Sequence, residues 1–476
     1  MKKIILILSL FMSLQTFAQP IHSMNYWETE FLNGWQAEYD LYYPLSNSND
    51  SWQWYSLAWA VNANQTMFEA TNETKYLDRA LLYINNVIDS AKLSSTFSAS
   101  QFQDSYLGWV SKSSPDTTEN GKEYPLFETF LWRYVTSLLR NMKANNCVYN
   151  DPTYRAQYDS ILAFTEKNIY EKWTSSARGG ANTNVYRVNA HMTSHWARMC
   201  LNLFLITGKQ VYFNVFDNFN NHLPNYQMND SSQASMRKQI RQNPANSSAY
   251  WWNANWGDTS LPGQDVPHGT AVIGFMVEAH DLGYEWNTAD INGLINLYTK
   301  VVWPAENTCS FYVDGSGIWD GWFNDGWMTL GRYDTVLQKR LEAHVAGNGQ
   351  ITGTNSNTNQ TYDGCQFYAN LALNAKILSS VVIPCSPLSL IQPFTNKFKI
   401  LLYPNPASDI VTLNLNNGLN ADLTLNIYNV IGVLVKNEIL KQNKRQINIG
   451  DLSNGIYLVE IKSKNFSEKQ KLIIQR

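Results

Sequence analysis

Two short stretches of this chain carry residue types whose spacing suits proton transfer. One runs Arg187-Val188-Asn189-Ala190-His191-Met192-Thr193-Ser194-His195-Trp196, the other Asp265-Val266-Pro267-His268-Gly269-Thr270. His191 and His195 stand four apart and share a face wherever that segment is helical. The spacing suits zinc, but no Glu lies between them as in HExxH and no third ligand is evident, so no metal is expected. Each of the two also reads as a packed, hydrogen-bonded helix residue. Asn189 reads both as the N-cap of a helix starting at Ala190 or His191 and as a group facing a substrate. His268 follows Pro267 and precedes Gly269, in a loop where a buried structural His is uncommon. One chemistry to which Asn, His, Arg and Tyr are suited is β-elimination on a uronate. Asn, His or Arg hydrogen-bonds the carboxylate and stabilises the charge that develops at C5. A base takes the C5 proton and an acid protonates the leaving oxygen. Asn189 is then the neutraliser and His268 the base or neutralising partner, with His191 a further candidate. Arg332 and Tyr333 are a carboxylate clamp and a Tyr acid/base, against the default of a surface Arg and a packed Tyr.

Candidate binding residues come from the aromatic and basic content. The chain holds 17 Trp, 27 Tyr and 20 Phe, enough for both a packed core and a sugar groove. Trp251, Trp252, Trp256, Trp322 and Trp327 are candidate sugar platforms as a group, though each alone also reads as packing. Arg178 and Arg187 would bind an anionic glycan, or form part of a solvated basic face. Hydrolysis is the alternative chemistry and needs two carboxylates across the scissile bond. Asp265, Asp320, Asp325 and Glu128 are available, and no two Asp are adjacent. A non-catalytic surface glycan-binding protein is the third reading.

The elements that must position these residues are helical. Trp52 to Ala70 is apolar on a helical period, and Tyr76 to Ile88 follows with Leu77, Ala80, Leu81, Ile84, Val87 and Ile88 on one side. The turn between them recurs: Thr71-Asn72 with Tyr76, then Thr207-Gly208 with Tyr212, both Thr-[Asn/Gly]-x-x-x-Tyr. Further hairpins pair Leu126–Met142 with Tyr154–Trp173 and Thr270–Ala279 with Ile291–Val302. Repeated helical hairpins predict an (α/α) toroid, with a plain solenoid as the other outcome. The long loops Tyr250 to His268 and Phe311 to Arg332 favour the toroid, whose cleft is built from such loops.

Lys2 and Lys3, the apolar run Ile4 to Leu14 and Thr16-Phe17-Ala18 form a secretory signal over residues 1–19, too short for a membrane span. No later segment is apolar enough to cross a bilayer. The domain expectation is a toroid over 20–380, a Pro-containing linker over 381–400 and a small β-sandwich over 401–476. Acidic residues outnumber basic ones 33 to 23 over residues 21–396 and are outnumbered 6 to 11 beyond, so the large domain is no nucleic-acid binder. The five Cys show no CxxC pair, and Cys365 with Cys385 is the expected bridge if one forms.

In the tail, Leu402-Tyr403-Pro404-Asn405-Pro406-Ala407, Ile427-Tyr428-Asn429-Val430-Ile431-Gly432 and Leu452-Ser453-Asn454-Gly455-Ile456-Tyr457-Leu458 stand in order before a basic last strand. Together they closely resemble the type A sorting domain of the type IX secretion system. The resemblance implies export through the periplasm to the surface or exterior, with the type IX machinery as partner. Asn189-Ala190-His191 resembles, with one residue inserted, the Asn-His pair that opens an inner helix in alginate-lyase-like toroids. The segment Asp265 to Thr270 resembles the helix entry that delivers a catalytic His in toroid uronate lyases. These two likenesses imply a polysaccharide lyase without cofactor, cleaving an anionic polysaccharide such as alginate, glucuronan or ulvan.

Overall fold

The computed structural model describes residues 20–224, 235–306, 308–319, 321, 323–347, 364–380, 400–403, 407–415, 423–429, 433–441, 446–462 and 467–475. The signal segment 1–19, Asp320, Trp322, Cys385 and most of the expected linker lie outside them. The chain divides into two compact units, 1–388 and 389–476.

The first unit is mainly α. Helices α1 (Met24–Asn33) and α2 (Trp35–Ser46) precede α3 (Trp54–Thr71) and α4 (Thr74–Asp89). Then come α5 (Pro125–Ala144), α6 (Pro152–Thr165), α7 (Ala190–Thr207), α8 (Gln210–Asn221), α9 (Val266–Asp281) and α10 (Thr288–Leu297). Last are α11 (Asp325–Thr329), α12 (Thr335–Gly347) and α13 (Cys365–Ser379). The odd-numbered helices from α3 to α13 each pack on the next, and α13 closes on α3. Outer helices back them: α4 on α3, α6 on α5, α8 on α7, α10 on α9, and both α12 and α1 on α13. This is an (α/α) toroid with a closed inner ring of six among the described residues.

Sequence decides which helix goes where. α3 is buried on nearly every side, with Leu57, Ala58, Val61 and Met67 beside Asn62, Asn64 and Gln65. A helix without a wet face belongs inside. α4 buries Leu77, Ala80, Leu81, Ile84 and Val87 and keeps Asp89 exposed, so it lies outside. The repeated turn has one mechanism at both places. Asn72 (φ 59°) and Gly208 (φ 72°) end their helices left-handed. Thr71 and Thr207 bond back to the carbonyls of Met67 and Leu203 and accept from the N–H of Glu73 and Lys209. The Tyr76 and Tyr212 hydroxyls then donate to Glu28 and Glu166, tying each outer helix to a neighbour.

The ring is tightest between α9 and α11. A Cβ added at Gly326 would lie 2.1 Å from the Thr270 carbonyl oxygen and 2.5 Å from the Gly274 nitrogen. Asp325, just before it, sits at φ 28°, a strained value for a side-chain-bearing residue.

Cys365, expected to bridge Cys385, is buried, and its thiol donates to the Phe31 carbonyl oxygen at 3.7 Å. Its place at the start of α13 turns it toward α1 instead. Cys147 is disulfide-bonded.

The second unit is a small β-sandwich. Strands are β1 (Ile400–Tyr403), β2 (Ile410–Leu415), β3 (Leu423–Tyr428), β4 (Leu434–Leu440), β5 (Gln446–Asn448), β6 (Gly455–Lys462) and β7 (Ser467–Ile474). One antiparallel sheet runs β7-β6-β3-β4, the other β1-β2-β5. Val411, Leu413, Leu425, Ile427, Ile447, Val459, Ile461 and Leu472 fill the space between, on the alternation the sequence carries.

Candidate functional site

The starts of α7 and α9 come together at one mouth of the toroid. Loops fix the starts of α7 and α9 there. Ala190 N–H donates to the Ala254 carbonyl (2.7 Å) and Trp256 N–H to the Val188 carbonyl (3.2 Å). Val266 N–H donates to the Phe311 carbonyl (2.7 Å). Asp265 caps α9: one carboxylate oxygen accepts from His268 N–H (3.0 Å) and lies 2.8 Å from His268 Nδ1. His268 is therefore a first-turn helix residue rather than a loop residue, with its side chain 59% exposed.

His191 and His268 meet, their ring centroids 4.4 Å apart. The two have opposite proton affinities. Burial works against a charge on His268, but the Asp265 carboxylate outweighs it and raises the pKa. Burial, reinforced by the charge of His268, pushes His191 down to about 3. His191 Nδ1 has no hydrogen-bond partner. The Asp265 carboxyl is lowered in turn, its bond with His268 overcoming burial. Half-exposed Tyr55 and Phe130 stand beside Trp59 at this mouth, and Phe130 packs edge-on against His195 at 5.2 Å.

Below the pair a column of charged side chains runs down the ring. His195 Nδ1 lies 3.1 Å from the guanidinium of Arg133, which is fully buried. Burial and the Arg133 charge keep His195 neutral. Arg133 lies 3.9 Å from Asp325, whose same oxygen accepts from Tyr134 Oη (2.7 Å) and Arg198 (3.2 Å). Arg198 also pairs with Glu278, which accepts from Asn202 at 2.8 Å. Sequence reasoning missed Arg133 and Arg198. The available signal was a lone charge inside each apolar helix run, Phe130-Leu131-Trp132-Arg133-Tyr134-Val135 and His195-Trp196-Ala197-Arg198-Met199.

Asn189 occupies the N-cap position of α7, but its side chain caps nothing; its amide donates to Asn255 at 2.7 Å. Arg187 is half-buried beside it, with no ion pair among the described residues.

Other expected residues are elsewhere. Arg332 and Tyr333 do not join the mouth. Arg332 donates to Asp281 at 2.8 Å and the Tyr333 hydroxyl bonds the same carboxylate. Asp281 ends α9 and His268 begins it, thirteen residues or about 20 Å apart along the axis. The chain descends through α11 and a short 3-10 turn before reaching them. Arg178 is no surface cation: its guanidinium is buried against Asp104, Glu123 and Ser94, holding a loop down. Trp251, Trp252, Trp256 and Trp327 are core residues, at most 7% exposed, so none offers a free face. Two indoles are also tied: Trp256 to the Arg187 carbonyl and Trp327 to the Val266 carbonyl. Glu128 is locked between Lys172 and Trp173, both at 2.7 Å, and burial pushes it up to about 7. Among the described residues no cluster of three or more His, Cys, Asp or Glu is arranged to hold a metal.

Residues 401–475 match the family model of the secretion system C-terminal sorting domain. The protein is thus exported by type IX secretion to the cell surface or exterior. No helix among the described residues is long and apolar enough to cross a membrane. The chain matches none of the curated proteins. Among solved structures, an inactive variant of alpha-1,6-mannanase, GH76A of Salegentibacter sp. HEL1_6, in complex with alpha-1,6-mannotetrose, is similar over 74% of this chain and 99% of its own, at 14% identity and a TM-score of 0.39.

Proposed function

We propose that this exported protein is a glycan-active enzyme, a polysaccharide lyase that cleaves a uronate polymer by β-elimination at the N-terminal mouth of the toroid. One observation carries the reading: two histidines in ring contact, one whose proton affinity burial lowers and the other whose proton affinity Asp265 raises. An eliminating site needs a base and an acid side by side at one pH. Neutral His191 takes the C5 proton. The C5–H electron pair forms the C4–C5 double bond, the C4–O bond breaks, and the leaving oxygen takes the proton of the His268 imidazolium. An anionic substrate raises the proton affinity of His191 as it enters. Arg187, with Asn189 beside it, is the group that neutralises the uronate carboxylate. Tyr55 and Phe130 are the stacking surface. Ulvan, glucuronan and alginate all present the required carboxylate.

Hydrolysis is the second reading, on one specific observation. Asp325 keeps one carboxylate oxygen without a partner, deeper in the ring than Asp265.

Purified protein incubated with each uronate polymer separates the two. Lyase products absorb in the ultraviolet through the new double bond, and His191→Ala and His268→Ala abolish that signal. Saturated products, with activity surviving in both variants and lost in Asp325→Asn, would move the assignment to hydrolysis.

A further inference from the structure

The other end of the ring holds a cavity. Its floor is Asp325, Gly274 and Asn62, in the middle of the inner helices; its rim is Asp281 and Leu282, at the end of α9. It measures about 160 Å³. A space on the order of 150 Å³ holds a benzene-sized ring, and the open rim at Asp281 and Leu282 leaves room for substituents. His268 starts α9 and Asp281 ends it, so this chamber and the mouth lie at opposite ends, with the Arg133–Asp325–Arg198 cluster between them.

The lining is mostly polar, interrupted by Val277, Leu282 and Leu373, and lacks an aromatic platform. Glu69, Glu278, Asp281 and Asp325 face Arg140, Arg198 and Arg332, a net charge of one negative. Most of these charges neutralise one another: Glu278 with Arg198 and Arg140, Asp281 with Arg332. Asp325, whose side chain is 1% exposed, keeps Oδ1 without a partner, a costly arrangement unless something else supplies a donor. Gln65 and Asn370 are buried and spend their amide N–H on Glu69 and the Gln366 carbonyl, which leaves their amide oxygens to accept. Hydroxyl groups, donor and acceptor at once, suit such a wall. The negative balance disfavours an anion.

We infer that this chamber is a separate binding site for a single neutral sugar ring, entered from the face opposite the mouth. The inference does not rest on the lyase reading.

Titration calorimetry of the full mature chain with methyl glucoside, methyl mannoside and methyl galactoside tests it, with free glucuronate as the anionic control. At least one neutral glycoside binds saturably, and glucuronate does not displace it. His268→Ala leaves that binding unchanged, while Asn370→Ala weakens it about tenfold, the loss of one buried hydrogen bond. Gln65→Ala repeats the test if Asn370→Ala does not fold. Crystals soaked in the bound glycoside show the ring against Asp325. Binding lost in His268→Ala, binding indifferent to both chamber variants, density only at the mouth, or no binding by any of the three glycosides would overturn the inference.

Discussion

Replacing Asp265 by Asn separates its two jobs. Asn caps a helix as well as Asp does, so the bond to His268 N–H and the start of α9 survive. The charge beside His268 Nδ1, 2.8 Å away, is removed. A charge-assisted hydrogen bond is worth about 1.5–3 kcal/mol. The His268 side chain is 59% exposed, so solvent screens the interaction and the low end applies. At about 1.4 kcal/mol per pH unit, the alkaline limb of the kcat/KM profile falls by roughly one pH unit. The direction follows from the proposed protonation roles: with His268 acting as the imidazolium, Asp265 raises its pKa, and without Asp265 burial lowers it. Activity in the variant drops about tenfold above neutrality and recovers at lower pH. Stability follows the same signs. The raised His268 contributes below its unfolded pKa and loses that contribution as pH rises through its folded value. The lowered Asp265 contributes above its unfolded pKa and loses it as pH falls through its folded value. The Tm deficit of Asp265→Asn is therefore greatest between those limits and shrinks outside them. Superimposable pH profiles for the two proteins would refute the proton assignment.

Four further outcomes are expected. His191→Ala lowers kcat by on the order of 10² or more while circular dichroism stays that of the parent, because what is lost is a neutral base whose Nδ1 has no partner. Gly326→Ala forces apart α9 and α11 and lowers stability by more than about 3 kcal/mol in denaturant titration, since backbone atoms meet the new methyl. Glu128→Gln leaves Lys172 without its closest counter-charge and costs about 3–5 kcal/mol by the same measurement. A chain ending at residue 380 keeps the cooperative thermal transition of the helical unit, because the two units have separate cores.

The hairpins were legible because an outer helix buries one face and shows the other, as α4 does. The Thr-turn repeat was legible because each of its residues bonds locally. α13 was not, since a helix enclosed on all sides carries Leu371, Asn374 and Leu373 without a single-sided period. α11 spans only Asp325–Thr329, too short to register as periodicity. The expectation paired His268 with Asn189, whereas the ring that meets His268 is that of His191, the second residue of α7. Tyr333 was misplaced because a nearby sequence position does not say which end of the ring the chain has reached. The tryptophans misled for a related reason. An indole beside a Gly-rich loop fills a core or lines a groove with equal chemical sense, and only Trp256 and Trp327 reveal their choice through bonds to distant carbonyls.

The charged column has a consequence for how such a chain can vary. Arg133, Asp325, Arg198 and Glu278 are each more than nine-tenths buried by fractional exposure, and each leans on the next. A change at one member strands its neighbour's charge away from water, whereas a matched change at two restores neutrality. Substitutions there are tolerated in pairs and rejected singly. Across relatives of this toroid the column would therefore surface as correlated replacement between positions far apart in the chain, on α5, α7, α9 and α11, while the flanking apolar positions drift independently.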